Sequence, residues 1–403
     1  MNHAERFQRL TKVLAAWQPL WGPLPFAHRR LPWAASYPAL HRTLLALDAD
    51  AAERVEDDPL AAGELDPWLP VAELRALSRL PAHRAGQAED AALPNVWSDH
   101  IGGRKWRQLQ AFVRCVPDAS GPLVEWCAGK GHLARTLSRL YGRAVTGLEW
   151  QPALCEQGQR LAQKQGAAVT LAEQDVLARD AGRWLEPGAH AVALHACGDL
   201  HAALLRQAAQ KGVALTLAPC CYQRTAAERY RPLSTLGQRL AAASGLALAR
   251  DDLALAVRET VTAPSSVSRQ RERASAWRLG FDLLQREVRG VDEYLPVPSL
   301  AYGRMPADFV GFCRWAAAQK GLTLPPATLS RRDWEAAGRE RLGQVERLEL
   351  VRHAFRRPLE VWLLLDRLIF MQEAGFDATL ATFCSRALTP RNVVLQARPA
   401  KLA

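Results

Sequence analysis

Cysteine, methionine and lysine are all scarce here, at 8, 3 and 7 residues among 403. Eight cysteines spread over that length cannot build a disulfide scaffold, so reduced thiols are expected. The adjacent pair Cys220 and Cys221 lacks the CxxC spacing usual for zinc, and no metal is expected there. No apolar run approaches the roughly 20 residues of a membrane span, and the opening MNHAERFQRLTKVLAAW reads as an amphipathic helix without a signal core. Those absences predict a cytoplasmic protein with no membrane partner. A composition of 49% hydrophobic and 23% charged residues excludes disorder and fibrous folds.

What is abundant is arginine, which makes up most of the 52 basic residues and leaves a net charge of +11. The excess is uneven. Residues 1–100 hold 10 basic against 13 acidic residues, whereas 101–403 hold 42 against 28. A basic surface favours polyanionic partners through phosphate neutralisation, although Arg- and Ala-rich usage also follows from genomic base composition.

The length allows two or three domains. Residues 1–95 show apolar residues at helical spacing (Phe7, Leu10, Leu14; Leu40, Leu44, Leu47) interrupted by prolines, which predicts a helical N-terminal region. Pro81 to Pro94 reads as a linker. From 121 onward, five apolar runs (LVEWCA, AVTGLEW, AVTLAEQD, AVALHACGD, VALTLAPCCY) alternate with helical stretches. That rhythm predicts a core over 96–223 built as a doubly wound, mostly parallel sheet with helices on both faces. The alternation lapses over a basic, helix-leaning insertion, 224–345, which offers substrate recognition. It resumes over 346–403 as one long helix (Glu346 to Ala374), a segment Thr379 to Cys384 and a last strand Asn392 to Ala397. Within the insertion, Arg269 to Asp282 and Asp292 to Pro298 mix arginine with aromatics, a pairing suited to phosphates and bases, and equally to an amphipathic helix followed by a stiff loop.

Strand ends carry the chemistry in such sheets. The first run ends in Glu125, Cys127, Gly129, Lys130 and Gly131 before a helix, a loop that lets a ligand approach backbone. Gly129, Gly131 and Ala134 also satisfy GxGxxA, so a nicotinamide oxidoreductase is the rival reading. A carboxylate at Glu125 repels a pyrophosphate and suits an ammonium-bearing ligand, S-adenosylmethionine. Glu149 ends the second run, placed for ribose hydroxyls. Gln174 and Asp175 end the third, placed for an adenine amino group. Helix capping is the competing role for each acid. After the fourth run come His195 and Asp199, and after the fifth Cys220, Cys221 and Tyr222.

The segments VEWCAGKGHLA, GLEW, HACGDL and PCCYQ, with GGRKWRQL upstream and LLLDRLIFMQEAGF and LTPRNVVLQAR downstream, resemble one methyltransferase-domain family. Its members are methyltransferase-like protein 25 and the glutathione S-transferase C-terminal domain-containing protein, with the tRNA acceptor-stem 2′-O-methyltransferases as distant relatives. The resemblance covers about 100–225 and 345–398. It implies a Rossmann-like class I methyltransferase using S-adenosylmethionine. By the same resemblance Glu125, Cys127, Gly129, Gly131, Glu149, Trp150, Asp175, Val176 and His195 contact the cofactor. Lys105, Cys220, Cys221 and Tyr222 then face the substrate, with His195, Asp199 and Tyr222 as catalytic candidates. Cys127 departs from the family by standing where many such loops have their first glycine. RNA leads as substrate class, with a protein side chain, a small molecule or a non-catalytic cofactor-binding role as alternatives.

Overall fold

The computed structural model describes residues 1–84, 93–118, 121–258 and 265–400, so most of the expected linker lies outside it. The apolar runs form β1 (Leu123–Trp126), β2 (Val145–Glu149), β3 (Val169–Glu173), β4 (His190–Cys197) and β5 (Ala214–Cys220). Two further strands follow late in the chain, β6 (Phe376–Thr382) and β7 (Val393–Pro399). All seven make one sheet in the order β3-β2-β1-β4-β5-β7-β6. β1 to β5 run parallel, and β7 is antiparallel to both β5 and β6. This is the expected α/β, Rossmann-like, doubly wound and mostly parallel arrangement. Strand order reverses between β1 and β4, so a crevice opens beyond their carboxyl ends.

Helices His132–Tyr141, Pro152–Lys164 and Asp199–Lys211 supply the crossovers between parallel strands. The first buries Leu133, Ala134 and Leu137 and stops at Gly142, a left-handed cap whose N–H donates to the Ser138 carbonyl. One face of the sheet is filled by Phe112, Leu123, Leu137, Val145 and Phe383, with the two phenylalanine rings meeting edge to face at 5.7 Å.

The chain divides into two compact units, one of residues 1–15, 75–258 and 356–403 and the other of 16–74 and 259–355. Those boundaries differ from the sequence reading of 1–95, 96–223, 224–345 and 346–403. Residues 224–258 stay with the sheet because Asp366, fully buried on helix Arg356–Glu373, gathers them. It accepts hydrogen bonds from the Tyr230 hydroxyl, the Leu233 and Ser234 N–H groups and the Ser234 hydroxyl. The segment expected as one helix, 346–374, is two helices, Trp334–His353 and Arg356–Glu373, separated where the units part. Apolar content is continuous across Ala354 and Phe355, so periodicity alone carried no sign of the break.

The second unit is helical. Its long helices Ser265–Arg289 and Trp334–His353 cross so closely that a Cβ on Gly338 would lie 2.7 Å from the Gly280 nitrogen. Residues 16–74 join it through arginine: Arg352 Nε donates to the Trp21 carbonyl at 2.7 Å and Arg347 Nε to the Leu47 carbonyl at 2.7 Å. Arg278 binds the Val297 and Pro298 carbonyls, and Arg273 lies over the Trp277 ring at 4.3 Å while donating to the Pro306 carbonyl. In the aromatic-basic region, then, Arg273 and Arg278 serve the packing, Arg273 from an exposed position like those of Arg269 and Arg271. Among the described residues no helix is long and apolar enough to cross a membrane.

Candidate active site

At the carboxyl ends of β1, β2 and β3 lies a cavity of about 300 Å³ lined by Cys127, Glu149, Trp150, Asp175, Val176 and Leu200, among others. Its floor is built by the loop after β1. There Cys127, Gly129 and Gly131 all adopt left-handed backbone, with φ of 62°, 58° and 64°. Glycine takes this conformation freely and cysteine does not, so Cys127 holds the turn at a backbone cost that a glycine would spare. Burial pushes the Cys127 thiol far up, so it stands protonated.

Glu149 ends β2 and is buried at the cavity wall. Its two oxygens accept one backbone N–H each, from Gly129 and Gln151, both at 3.0 Å. A carboxylate so held keeps lone pairs for two further donors, the requirement of a ribose diol. Asp175 is exposed, with one oxygen accepting the Leu177 N–H at 2.9 Å and the other carboxylate oxygen available for an amino group. Trp150, 66% exposed, together with Val176 and Leu177 gives the cavity an apolar rim. Gln174, considered alongside Asp175, is fully engaged: its amide binds the Asp175 carbonyl and the Asp180 carboxylate and accepts the Trp184 indole N–H.

Glu125 lies beneath the loop, outside the cavity lining. Its Oε2 accepts the Ala134 N–H at 2.8 Å, and burial pushes its carboxyl up to about 8. The charge assigned to it from sequence is therefore mostly quenched at neutral pH, and Lys105 and Arg135 only partly restore it. Arg135, which sequence reasoning passed over, is a buried cation that donates to the Gly131 carbonyl and to the His132 ring, fastening the loop to its helix. An arginine on the apolar face of an amphipathic helix was the available signal.

β4 ends in a bulge between Leu194 and Cys197, and His195 sits in it with φ of 73°. Burial, then Arg391 and Lys105, push the imidazole down to about 4, so it is neutral at pH 7. Asp199 opens the next helix and is spent on the loop after β5, its side chain accepting the Ala226 N–H at 2.8 Å. Gly198 makes that contact possible, since a Cβ there would lie 1.8 Å from the Arg224 carbonyl oxygen. Tyr222 is buried away from the cavity lining, its ring edge-on to His201 and its face 4.7 Å from the Arg367 guanidinium. His195, neutral and in the β4 bulge, is outside the cavity lining, and Asp199 and Tyr222 serve the frame.

Cys220 and Cys221 have a companion that sequence spacing could not show. β4–β5 pairing sets Cys197 opposite Cys220, and their sulfurs are 3.5 Å apart. Hydrogen bonds from Cys197 and Cys220 hold the Cys221 thiol well below its ordinary range. Lys105 and Arg224 are exposed, Arg391 is half-buried, and their charges reach His195 or Cys221. Arg224 and Arg391 were not singled out from sequence.

Residues 104–228 match a family described as a methyltransferase domain. A solved structure of coclaurine N-methyltransferase bound to N-methylheliamine and SAH is similar to this chain at 16% identity and a TM-score of 0.26. That match covers 46% of this chain and 62% of the other, so this chain spans less than two thirds of that neighbour's length. The methyltransferase domain ends close to the end of the loop after β5, and the match includes every cavity residue named above.

Proposed function

We propose that the chain is an S-adenosylmethionine-dependent methyltransferase of RNA, working in the cytoplasm and allied to the family of methyltransferase-like protein 25. The observation that carries the cofactor is the cavity itself, with an acid at the end of β2, an acid after β3 and glycine-type backbone after β1, all inside the methyltransferase-domain match. Bound there, the cofactor supplies an electrophilic methyl group on a sulfonium. The residues of the chain hold and align. Glu149 takes the ribose hydroxyls and Asp175 an adenine amino hydrogen, while Trp150 and Val176 cover the base. Neutral His195 accepts the proton of an incoming hydroxyl or amine at an imidazole nitrogen. Lys105, Arg224 and Arg391 support an RNA acceptor, because their charges reach His195 or Cys221 at the ends of β4 and β5, and clustered cations suit phosphates. The scarce cysteines support a reducing compartment.

Calorimetry should show binding of S-adenosylmethionine and none of nicotinamide dinucleotides; the reverse would sink the cofactor assignment. With Glu149→Ala, affinity is expected to fall by about 1 to 3 kcal/mol, the scale of a charge-assisted hydrogen bond, with the fold retained at a lower thermal midpoint because the Gly129 and Gln151 N–H groups lose their acceptor. Unchanged affinity would leave Glu149 a loop anchor only.

For the acceptor, radiolabelled methyl from the cofactor should enter an RNA fraction rather than protein or small molecules. Log affinity for that RNA should fall with log salt by roughly 0.7 to 0.9 per phosphate neutralised, and Arg391→Ala should lower the slope by about one. Label appearing in protein alone would overturn the RNA reading.

A further inference from the structure

The three thiols of Cys197, Cys220 and Cys221 lie in the described core at the carboxyl ends of β4 and β5, with all sulfurs within 4.8 Å of one another. Two features of the backbone bring them together. Parallel pairing sets Cys197 directly beside Cys220. In an extended strand Cys220 and Cys221 would point to opposite faces, and the left-handed φ of 44° at Cys221 breaks that alternation so both sulfurs turn to one side. A tetrahedral zinc ion with bonds of about 2.3 Å needs sulfurs about 3.8 Å apart. The spacing of the cluster, 3.5 Å for its closest printed pair and 4.8 Å at most, brackets that value.

We propose that Cys197, Cys220 and Cys221 form a binding site for a thiophilic divalent cation, zinc being the best fit, with a fourth coordination position open. Cys220 is buried whereas Cys197 and Cys221 are partly exposed, so the open position lies on the accessible side of the cluster. Three protein ligands and one exchangeable position are the pattern of zinc sites that bind a water or a substrate atom. Three thiolates around a divalent ion leave one net negative charge, and the Arg224 and Arg391 guanidiniums stand close enough to offset it. The reason given for expecting no metal, that Cys220 and Cys221 lack companions at zinc spacing, fails because the third ligand arrives from 23 residues away across the sheet. The assignment rests on the thiols alone and does not depend on the methyl-transfer reading.

The test is elemental analysis of the full chain purified without chelator from zinc-supplemented cells, followed by cobalt substitution. One equivalent of zinc is expected. Cobalt should give the near-ultraviolet thiolate charge-transfer band and the intense visible bands of a tetrahedral site. Cys220→Ser and Cys221→Ser should each lower zinc affinity at least 100-fold, on the order of a severe loss in a metal shell, while Cys384→Ser keeps the metal. Far-ultraviolet circular dichroism and S-adenosylmethionine binding on the same variants show that the fold persists; if Cys220→Ser unfolds, the more exposed Cys221→Ser decides. Cofactor binding retained with metal lost separates this site from the methyl-donor cavity. Absence of zinc and cobalt binding by the reduced, folded chain would overturn the proposal, as would a Cys197–Cys220 disulfide in the protein as isolated.

Discussion

Alanine at Asp366 is expected to cost the sheet unit about 3 to 5 kcal/mol, a third or more of the stability of a typical domain. The side chain is fully buried and accepts four hydrogen bonds, two of them from backbone N–H groups at Leu233 and Ser234. Removing it orphans the buried Ser234 donors and the part-buried Tyr230 and Leu233 donors, and each buried orphan carries its own desolvation cost. The Arg367 guanidinium, which donates to the Tyr230 oxygen at 3.0 Å, also loses a nearby negative charge. Glu373, on the same helix, accepts the Thr235 and Leu236 N–H groups at an exposed position. Glu373→Ala should cost about 1 kcal/mol or less, because water replaces the lost acceptor. Guanidinium unfolding of both variants checks the contrast. Equal midpoints would mean that Asp366 does not organise residues 224–258.

Acid should destabilise the same unit well before its carboxylates titrate as a group. Burial, followed by nearby cations, pushes His190 and His195 down to about 4, and burial with Arg367 pushes His201 well below its ordinary value. Each is neutral in the fold for a visible reason: His190 Nε2 meets the Thr216 hydroxyl at 2.9 Å, and His201 Nε2 must accept the Arg367 Nε–H at 2.8 Å. Unfolded histidine takes its proton near 6.5. As pH falls below that value the unfolded chain therefore binds protons that the fold refuses, and stability drops until the folded values are reached. Glu125 runs the other way: its raised value means that the fold holds a proton the unfolded chain lacks over the same window. With His132, pushed down to about 3 by burial and then Arg135, four histidines against one glutamate leave three net protons, or about 4 kcal/mol per pH unit around pH 5.5. Urea midpoints measured from about pH 7 to 5 test this, and His190→Gln should flatten the slope by about one proton. A stability profile level across that range would show the histidines to be more accessible than the fold implies.

The parallel half of the sheet was legible because each β-α-β unit announces itself locally, by an apolar run, a polar end and a helix start. Glu149, Trp150, Asp175 and Val176 came with it, since strand ends in an open sheet have only one place to put a ligand. Partnership across strands was not legible. Nothing in sequence spacing relates Cys197 to Cys220, or Asp366 to Tyr230, because pairing register and helix docking decide those contacts. Glu125 illustrates a second limit. Its place near the end of β1 was legible, but its charge and its distance from the cavity lining depended on burial, which a strand end does not reveal. The helix boundary at Ala354 and Phe355 illustrates a third, since a break between two buried helices of different units leaves apolar periodicity intact.

The interleaving of the two units fixes an order of completion during synthesis. The helical unit closes with residue 355, when all of 16–74 and 259–355 has been made. The sheet unit at that moment still lacks helix Arg356–Glu373 and both β6 and β7, and β7 is the strand that bonds to β5. A nascent chain therefore carries β5 as an open edge while some 180 residues downstream of it are translated. Such an edge is a template for unwanted pairing. The interval from β5 to β7 is when this protein is most exposed to aggregation, and slowing translation there should lower its soluble yield more than slowing it anywhere earlier.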